Sequence, residues 1–536
     1  MRPCVTLRTG WERIAGMGEW SDELAEGARR SEFAARMGGE ERVDRQHANG
    51  RLTVRERIAH LLDTGTFREV GALTGSATYD ESGQLKDFVP TNFVTGEGRI
   101  DGRRVVVAGD DFTVRGGAAD ASISEKQVYA ERMAGEMGMP LIRLIDGTGG
   151  GGSVKSLEDF GRTYVPQNPG WDEVIANLGR VPVIALALGP VAGLGAARLV
   201  TSHVAIGVRT IAQVFVAGPA VVEAGMGESV DKEQLGGIDV VARAGTVDVV
   251  VDTEDEAFAV TRRALSYLPD NTGRLPTRIA TDDPSDRRSE LLRDIVPHDR
   301  RAPYDVRRML AEVFDVGSVF EMGRTFGRST VTALARLDGF SVAVVASDPR
   351  FYGGGMTADG ADKMTRFVDL AEAFHLPVVH LVDQPGFVIG SAAERAGTIR
   401  HGARTLAAVY QSTVPWASVL VRRVFGVAGA AHRPHSRHTF RIAWPSGDWG
   451  SLPIEGGLEV AFKRMLAEAG EGAERLKAEI SERLEAVRSP YRTAERFLVE
   501  DIVDPADTRP LLTDWVQSAY DVLSRQPLPN GFLPRP

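Results

Sequence analysis

Residues 374–390 read Phe374-His-Leu-Pro-Val-Val-His-Leu-Val-Asp-Gln-Pro-Gly-Phe-Val-Ile-Gly390. Pro377 closes an amphipathic run (Phe367, Leu370, Ala371, Phe374) with helical spacing. Val378 to Val382 is a short apolar run, rich in β-branched residues and flanked by breakers, which is the pattern of a buried strand. Asp383 and then Gln-Pro-Gly follow. A turn at a strand's carboxyl end places backbone N–H groups and a polar side chain at the rim of a sheet. A single copy is equally compatible with a structural loop.

Residues 139–149, Met-Pro-Leu-Ile-Arg-Leu-Ile-Asp-Gly-Thr-Gly, have the same shape 237 positions earlier. That offset takes Pro140 to Pro377, Leu144 to Leu381, Asp146 to Asp383 and Gly149 to Gly386. Upstream it takes Arg99-Ile-Asp-Gly to Arg336-Leu-Asp-Gly, Asp111 to Asp348, Gly116-Gly117 to Gly353-Gly354 and Lys126 to Lys363. Downstream the register shifts by one, aligning Val191-Ala192-Gly193 with Val427-Ala428-Gly429. A period this long is a duplicated domain and not a solenoid unit. The expected architecture is α/β, with two similar domains, each a sheet covered by helices.

A chain of 536 residues is too long for one core and fits two domains. Hydrophobic residues at 43% and charged residues at 25% are ordinary for a soluble globular protein. A net charge of −10 argues against binding nucleic acid or an anionic membrane. The single cysteine, Cys4, excludes a disulfide framework and a cysteine-based zinc site. No apolar run has membrane-spanning length, and the first residues lack signal-peptide order, so a cytoplasmic protein is expected.

Residues 1–30 read as an N-terminal extension, 31–285 as the first domain and 286–536 as the second. Thr53 to Glu56 fits a capping box. Strands are expected at Phe93–Ile100, Arg104–Ala108 and Asp111–Val114, and a helix over 123–137. Gly147-Thr-Gly-Gly-Gly-Gly152 reads as a flexible loop without the Lys-Ser/Thr of a P-loop. Val181 to Pro190 reads as a strand leading into a small-residue helix.

No nucleophile elbow, His-Glu-x-x-His or EF-hand loop is present, and no carboxylate pair stands out for acid–base work. At Gly193-Leu194 and again at Val427-Ala428, backbone N–H groups are expected where a strand gives way to a helix. Such N–H pairs can stabilise an enolate or other oxyanion. Tight helix–sheet packing is the structural alternative. His432-x-x-His435-x-x-His438 is the one unusual cluster, and Pro434 interrupts any regular helix there. It could hold a metal, serve as a polar cap or interface, or donate a proton; no metal site is assigned.

Several stretches carry a resemblance. They are Gly50-Arg-Leu-Thr-Val-Arg-Glu-Arg-Ile, Asp111-Phe-Thr-Val-Arg-Gly-Gly, Glu233-Gln-Leu-Gly-Gly, Leu381-Val-Asp-Gln-Pro-Gly-Phe, Ile399-Arg-His-Gly-Ala, Thr413-Val-Pro and Val503-Asp-Pro-Ala-Asp-Thr-Arg. Together they resemble the carboxyltransferase (β) subunits of biotin-dependent acyl-CoA carboxylases, the propionyl-CoA and methylcrotonyl-CoA type. The resemblance implies two tandem crotonase-like (ClpP-like) β-β-α superhelix domains. It implies a hexamer whose active site lies between the first domain of one protomer and the second of another. Acyl-CoA would lie on the first domain, lined by Gly116, Gly117, Gly149 and Gly150, with its thioester oxygen at Gly193 and Leu194. Carboxybiotin, carried with biotin carboxylase on a partner, would face Val427 and Ala428. The chain departs from the family pattern at Gly426-Val-Ala-Gly-Ala-Ala-His, where the family's acyl-selecting Asp falls near Ala430, and at Gly193-Leu194, usually Gly-Gly. It carries no Ala-Met-Lys-Met biotinylation signal. These departures and the histidines keep open an alternative on the same fold, a biotin-independent decarboxylase of a malonyl-type CoA thioester.

Overall fold

The structure is a computed structural model that describes residues 19–118, 123–147, 157–158, 161–165, 167–529 and 531–536. It divides into two compact units: Met1–Ser266 with Asp270–Gly273 and Pro536, and Tyr267–Pro269 with Arg274–Arg535.

The first unit contains β1 (Arg68–Val70), β2 (Gly75–Tyr79), β3 (Leu85–Pro90), β4 (Phe93–Ile100), β5 (Arg103–Asp110) and β6 (Leu141–Ile145). β7 (Val183–Ala187), β8 (Pro190–Ala192), β9 (Val204–Val208), β10 (Gln213–Phe215) and β11 (Val249–Val251) complete it. Its main sheet has the order β1-β4-β5-β6-β7-β9-β11. β1, β4 and β5 are antiparallel, and every later pair is parallel. β6, β7 and β9 are buried along their whole length, as expected of parallel strands covered on both faces.

The second unit contains β12 (Phe320–Met322), β13 (Thr330–Leu337), β14 (Phe340–Ser347), β15 (Val378–Gln384), β16 (Trp416–Phe425), β17 (Phe440–Ala443) and β18 (Asp448–Gly450). The order is β12-β13-β14-β15-β16-β17, with β18 on the far end of β16. The directions repeat those of the first unit: two antiparallel pairs, then parallel ones. The Asp-Gly repeats noted in the sequence are the β4–β5 and β13–β14 hairpin tips. Asp101 and Gly102, like Asp338 and Gly339, have positive φ, as a two-residue type I′ turn requires.

The capping box forms, with Thr53 Oγ1 accepting from the Glu56 N–H and Glu56 accepting from the Thr53 N–H. The helix expected over 123–137 is Ser124–Met137. Asp111–Val114 is a turn and not a strand. Asp111 Oδ1 accepts from the Thr113 N–H (2.9 Å) and hydroxyl (2.6 Å), a local arrangement that competes with the ladder. The second unit's core joins Leu310, Phe314, Val344, Val419 and Trp444 to Leu512 and Val516 of the helix Thr508–Leu523.

Candidate active site

At each strand end singled out in the sequence lies a buried aspartate. Asp146 accepts from Arg57 Nη1 (2.7 Å), Gln46 Nε2 (3.1 Å) and Arg51 Nη1 (3.3 Å). Asp383 accepts from Arg423 Nε (2.7 Å), Arg422 Nη2 (2.8 Å), the Arg423 N–H (3.0 Å) and the Tyr304 hydroxyl (3.1 Å). Burial pushes the Asp383 carboxyl up, but Arg423 and Arg422 outweigh it and hold the group below the usual carboxylate range. Saturated this way, Asp383 is a brace and not an acid–base group.

The glycine pairs lean on these strand ends. A Cβ on Gly117 (φ +65) would come within 2.4 Å of the Asp146 carbonyl oxygen, and one on Gly354 (φ +87) within 2.8 Å of that of Asp383. Gly116, one residue earlier, lines a cavity of about 230 Å³ whose wall includes Arg42, Arg45, Arg51 and Arg115. Gly149 and Gly150 lie outside the described residues.

The two N–H turns are placed by strand register. Leu141 pairs with Val183, and Val378 pairs with Trp416, so Val183 and Trp416 are equivalent. Counting on, Gly193 corresponds to Gly426, Leu194 to Val427 and Gly195 to Ala428. This replaces the alignment of Val191-Ala192-Gly193 with Val427-Ala428-Gly429, which slips by three residues. Gly193 (φ +57) and Gly426 (φ +61) make the same left-handed turn out of a strand. The Gly193 N–H donates to the Phe215 carbonyl (3.3 Å), continuing the β8–β10 ladder. Gly193 is therefore the turn residue, not a donor. Among the described residues, the N–H groups of Leu194 and Gly195, and of Val427 and Ala428, have no backbone partner. Sequence reasoning missed Gly195; its signal was a Gly two residues earlier that alone can turn the chain.

Leu194, Gly195 and Gly117 line one cavity of about 280 Å³ in the first unit, together with Asp110, Arg143 and Arg198. Burial pushes the Asp110 carboxyl up to about 6, with Arg198 drawing it back. An unpaired N–H pair at the mouth of a polar cavity can hold an oxygen that gains charge during a reaction.

A family model described as "Carboxyl transferase domain" matches residues 45–521. The chain belongs to that family. The propionyl-CoA carboxylase carboxyltransferase subunit of Haloferax mediterranei is 34% identical over 494 residues, covering 91% of this chain and 93% of its own. The methylmalonyl-CoA decarboxylase subunit alpha of Veillonella parvula is 31% identical over 504 residues, covering 93% and 96%. A solved transcarboxylase 12S, described as a hexamer and with methylmalonyl-coenzyme A bound, superimposes with a TM-score of 0.85 at 32% identity. That match covers 97% of this chain and 100% of the other. Both units of this carboxyl transferase are crotonase-like.

The histidines of the carboxyl transferase chain do not form one cluster. They lie in irregular backbone after the short helix Gly426–Ala430, so a common helical face does not exist. His432 is buried, its Nδ1 2.8 Å from the Gly429 carbonyl, and its own carbonyl accepts from Trp416 Nε1 and Ser418 Oγ. Burial lowers the His432 imidazole to about 3. His435 lies against Tyr410 and His432, whereas His438 lines a separate cavity beside Trp515. Among the described residues, no group of three His, Cys, Asp or Glu is arranged to hold a metal, and no helix is long and apolar enough to cross a membrane.

Two further motifs make contacts within the second unit. His401 Nδ1 lies 2.7 Å from Asp362, and Gly402 leaves room for the Phe387 ring. Arg509, fully buried, donates to the carbonyls of Pro284 and Val313 and pairs with Asp315 at 2.9 Å.

Proposed function

We propose that the chain is the carboxyltransferase subunit of a biotin-dependent acyl-CoA carboxylase, with acyl-CoA on the first unit and carboxybiotin on the second. The observation that carries this reading is the recurrence of an unpaired N–H pair at equivalent turns, Leu194-Gly195 and Val427-Ala428. The Leu194 and Gly195 N–H groups hold the thioester oxygen and stabilise it as the α-carbon loses its proton and the enolate forms. The arginines beside Gly116 hold the phosphates of CoA, while Gly117 borders the cavity that takes the acyl end. The Val427 and Ala428 N–H groups fit a ureido oxygen, because among the described residues they are donors with no backbone partner. Carboxybiotin, carried on a partner, supplies carbon dioxide and the base that takes the α-proton. The enolate then forms its new carbon–carbon bond to carbon dioxide. Gly193 is left out of this chemistry, and Gly195 takes its place.

Burial keeps the His432 imidazole neutral near neutral pH and its Nδ1 is engaged by the Gly429 carbonyl at 2.8 Å, which makes it a poor general acid for a histidine-assisted decarboxylase. The hexamer named for the solved transcarboxylase 12S and a relative named as a subunit of a biotin-dependent acetyl-/propionyl-coenzyme A carboxylase support a hexamer that works with a biotin carboxylase and biotin carrier partner. We place it in the cytoplasm.

The test is Leu194→Pro. Proline suits the first helical position and lacks the N–H, so the backbone is kept and one donor is lost. The kcat for carboxyl transfer is expected to fall by about 10²–10³. Activity unchanged in the folded variant would refute the assigned hole.

A further inference from the structure

The cavity beside Leu194 and Gly195 has a charged wall that the transfer chemistry above does not use. Arg143 and Glu131 face each other there in a two-pronged pair, Nε to Oε1 and Nη2 to Oε2, both 2.9 Å. Glu131 Oε2 also accepts from Asn177 (3.0 Å). Arg198 is different. Its side chain is only 11% exposed, yet its nearest carboxylate among the described residues is Glu131 Oε1 at 3.9 Å, beyond hydrogen-bond reach. Asp110 lines the same cavity, and among the described residues its carboxylate accepts from the Asp146 N–H alone (3.2 Å). Among the described residues, two charged groups thus border the cavity with hydrogen-bonding capacity left over.

The fold does not demand these charges. By the strand registers and the matching helices, Asp110 corresponds to Ser347, Glu131 to Val368, Arg143 to His380 and Arg198 to Ala431. The second unit builds the same layers with no arginine or carboxylate at any of the four positions. In the first unit the charges therefore answer to what enters the cavity.

Arg198 lies four residues after Leu194 in the helix Leu194–Val200, on the same face and about 6 Å along the axis. Helical side chains lean toward the N-terminus, which brings the guanidinium back toward the N–H pair. A thioester oxygen at Leu194 and Gly195 then starts the acyl chain in the cavity that Arg198 and Asp110 also line. A plain alkyl chain would take water from both groups and return no hydrogen bond. A carboxylate would meet Arg198, but also Asp110 and Glu131. A hydroxyl accepts from the guanidinium and donates to the carboxylate, satisfying both.

We propose that Arg198 and Asp110 make this pocket selective for a short acyl-CoA bearing a hydroxyl on the acyl chain. The proposal deepens the carboxyltransferase reading and rests on it for the placement of the thioester. Arg198 is the specificity-determining residue, with Asp110 as its acceptor counterpart.

The experiment compares propionyl-CoA, 3-hydroxypropionyl-CoA and succinyl-CoA in two ways. Calorimetry measures binding of each to the full chain, and turnover is measured with the chain assembled with its biotin carboxylase and carrier. The expected result is a preference of about tenfold or more for 3-hydroxypropionyl-CoA over propionyl-CoA in both Kd and kcat/KM. Arg198→Met should bring that ratio close to one, and Arg198→Lys, which keeps a donor and a charge, should restore much of it. Equal or better binding of propionyl-CoA, tightest binding of succinyl-CoA, or a ratio untouched by Arg198→Met would each overturn the proposal. Carboxylation of none of the three would overturn the carboxyltransferase reading instead, and the binding ratio would still decide the pocket.

Discussion

At the residue scale, burial outweighs neighbouring groups at two histidines. His380 and His432 are both buried, and desolvation lowers them to about 4 and about 3. Each is neutral in the folded chain but takes a proton below its ordinary pKa of 6.5 once unfolded. The unfolded state therefore binds more protons on acidification, and stability is lost as pH falls from 6.5 toward 4. At pH 5 the loss relative to neutral pH is about 2 kcal/mol per histidine. Urea denaturation across this range is expected to show that slope, and His432→Asn should remove about half of it. A flat profile for the parent chain would contradict the neutral assignment. The sequence made these histidines conspicuous, but not their surroundings: only the folded chain buries the His432 ring against the Gly429 carbonyl and sends His438 to a separate cavity.

At the element scale, the motifs that marked the family are largely braces for strand ends. Arg57, 1% exposed, ties the helix Val54–Leu61 to Asp146 and to Glu254, with Nε 2.5 Å from Glu254 Oε2. Removing it leaves two buried carboxylates short of their main cation. Arg57→Ala should thus cost about 3–5 kcal/mol, far more than an exposed pair is worth. A fall of under about 1 kcal/mol in unfolding free energy would show that Arg51 and Gln46 suffice. The same bracing explains the invariant shape of the two glycine turns. Arg115 and Tyr352, both with positive φ, precede Gly116 and Gly353 in matched tight turns. Those turns press Gly117 and Gly354 onto the strand-end carbonyls, where a side chain has no room. The pairing of glycines with aspartates was legible in the repeat; the contact that requires it was not.

At the scale of the whole molecule, each unit carries one N–H pair and its own core. The proposed transfer uses both pairs, and the proposed assembly is a hexamer. Light scattering of the purified chain at micromolar concentration is expected to give about six times its 57.9 kDa. A monomeric mass under conditions that retain activity would exclude the assembly as a requirement.

By itself, the sequence determined the α/β class, the duplication and the family, because these depend on local pattern: apolar runs, breakers, and motifs repeated at a fixed offset. It also located the N–H turns to within a residue or a few, because glycine is the residue that can leave a strand with positive φ. Which N–H groups stay without a backbone partner among the described residues was decided only by the tertiary structure. Phe215, on a strand that follows the turn, takes the Gly193 donor, and that pairing shifts the donors to Leu194 and Gly195. The four-residue difference between the two halves likewise falls between paired strands, where only ladder register fixes the equivalence. The charged wall of the first cavity was hidden for the same reason. Asp110, Glu131, Arg143 and Arg198 come from two strands and two helices, and no spacing along the chain announces that they meet.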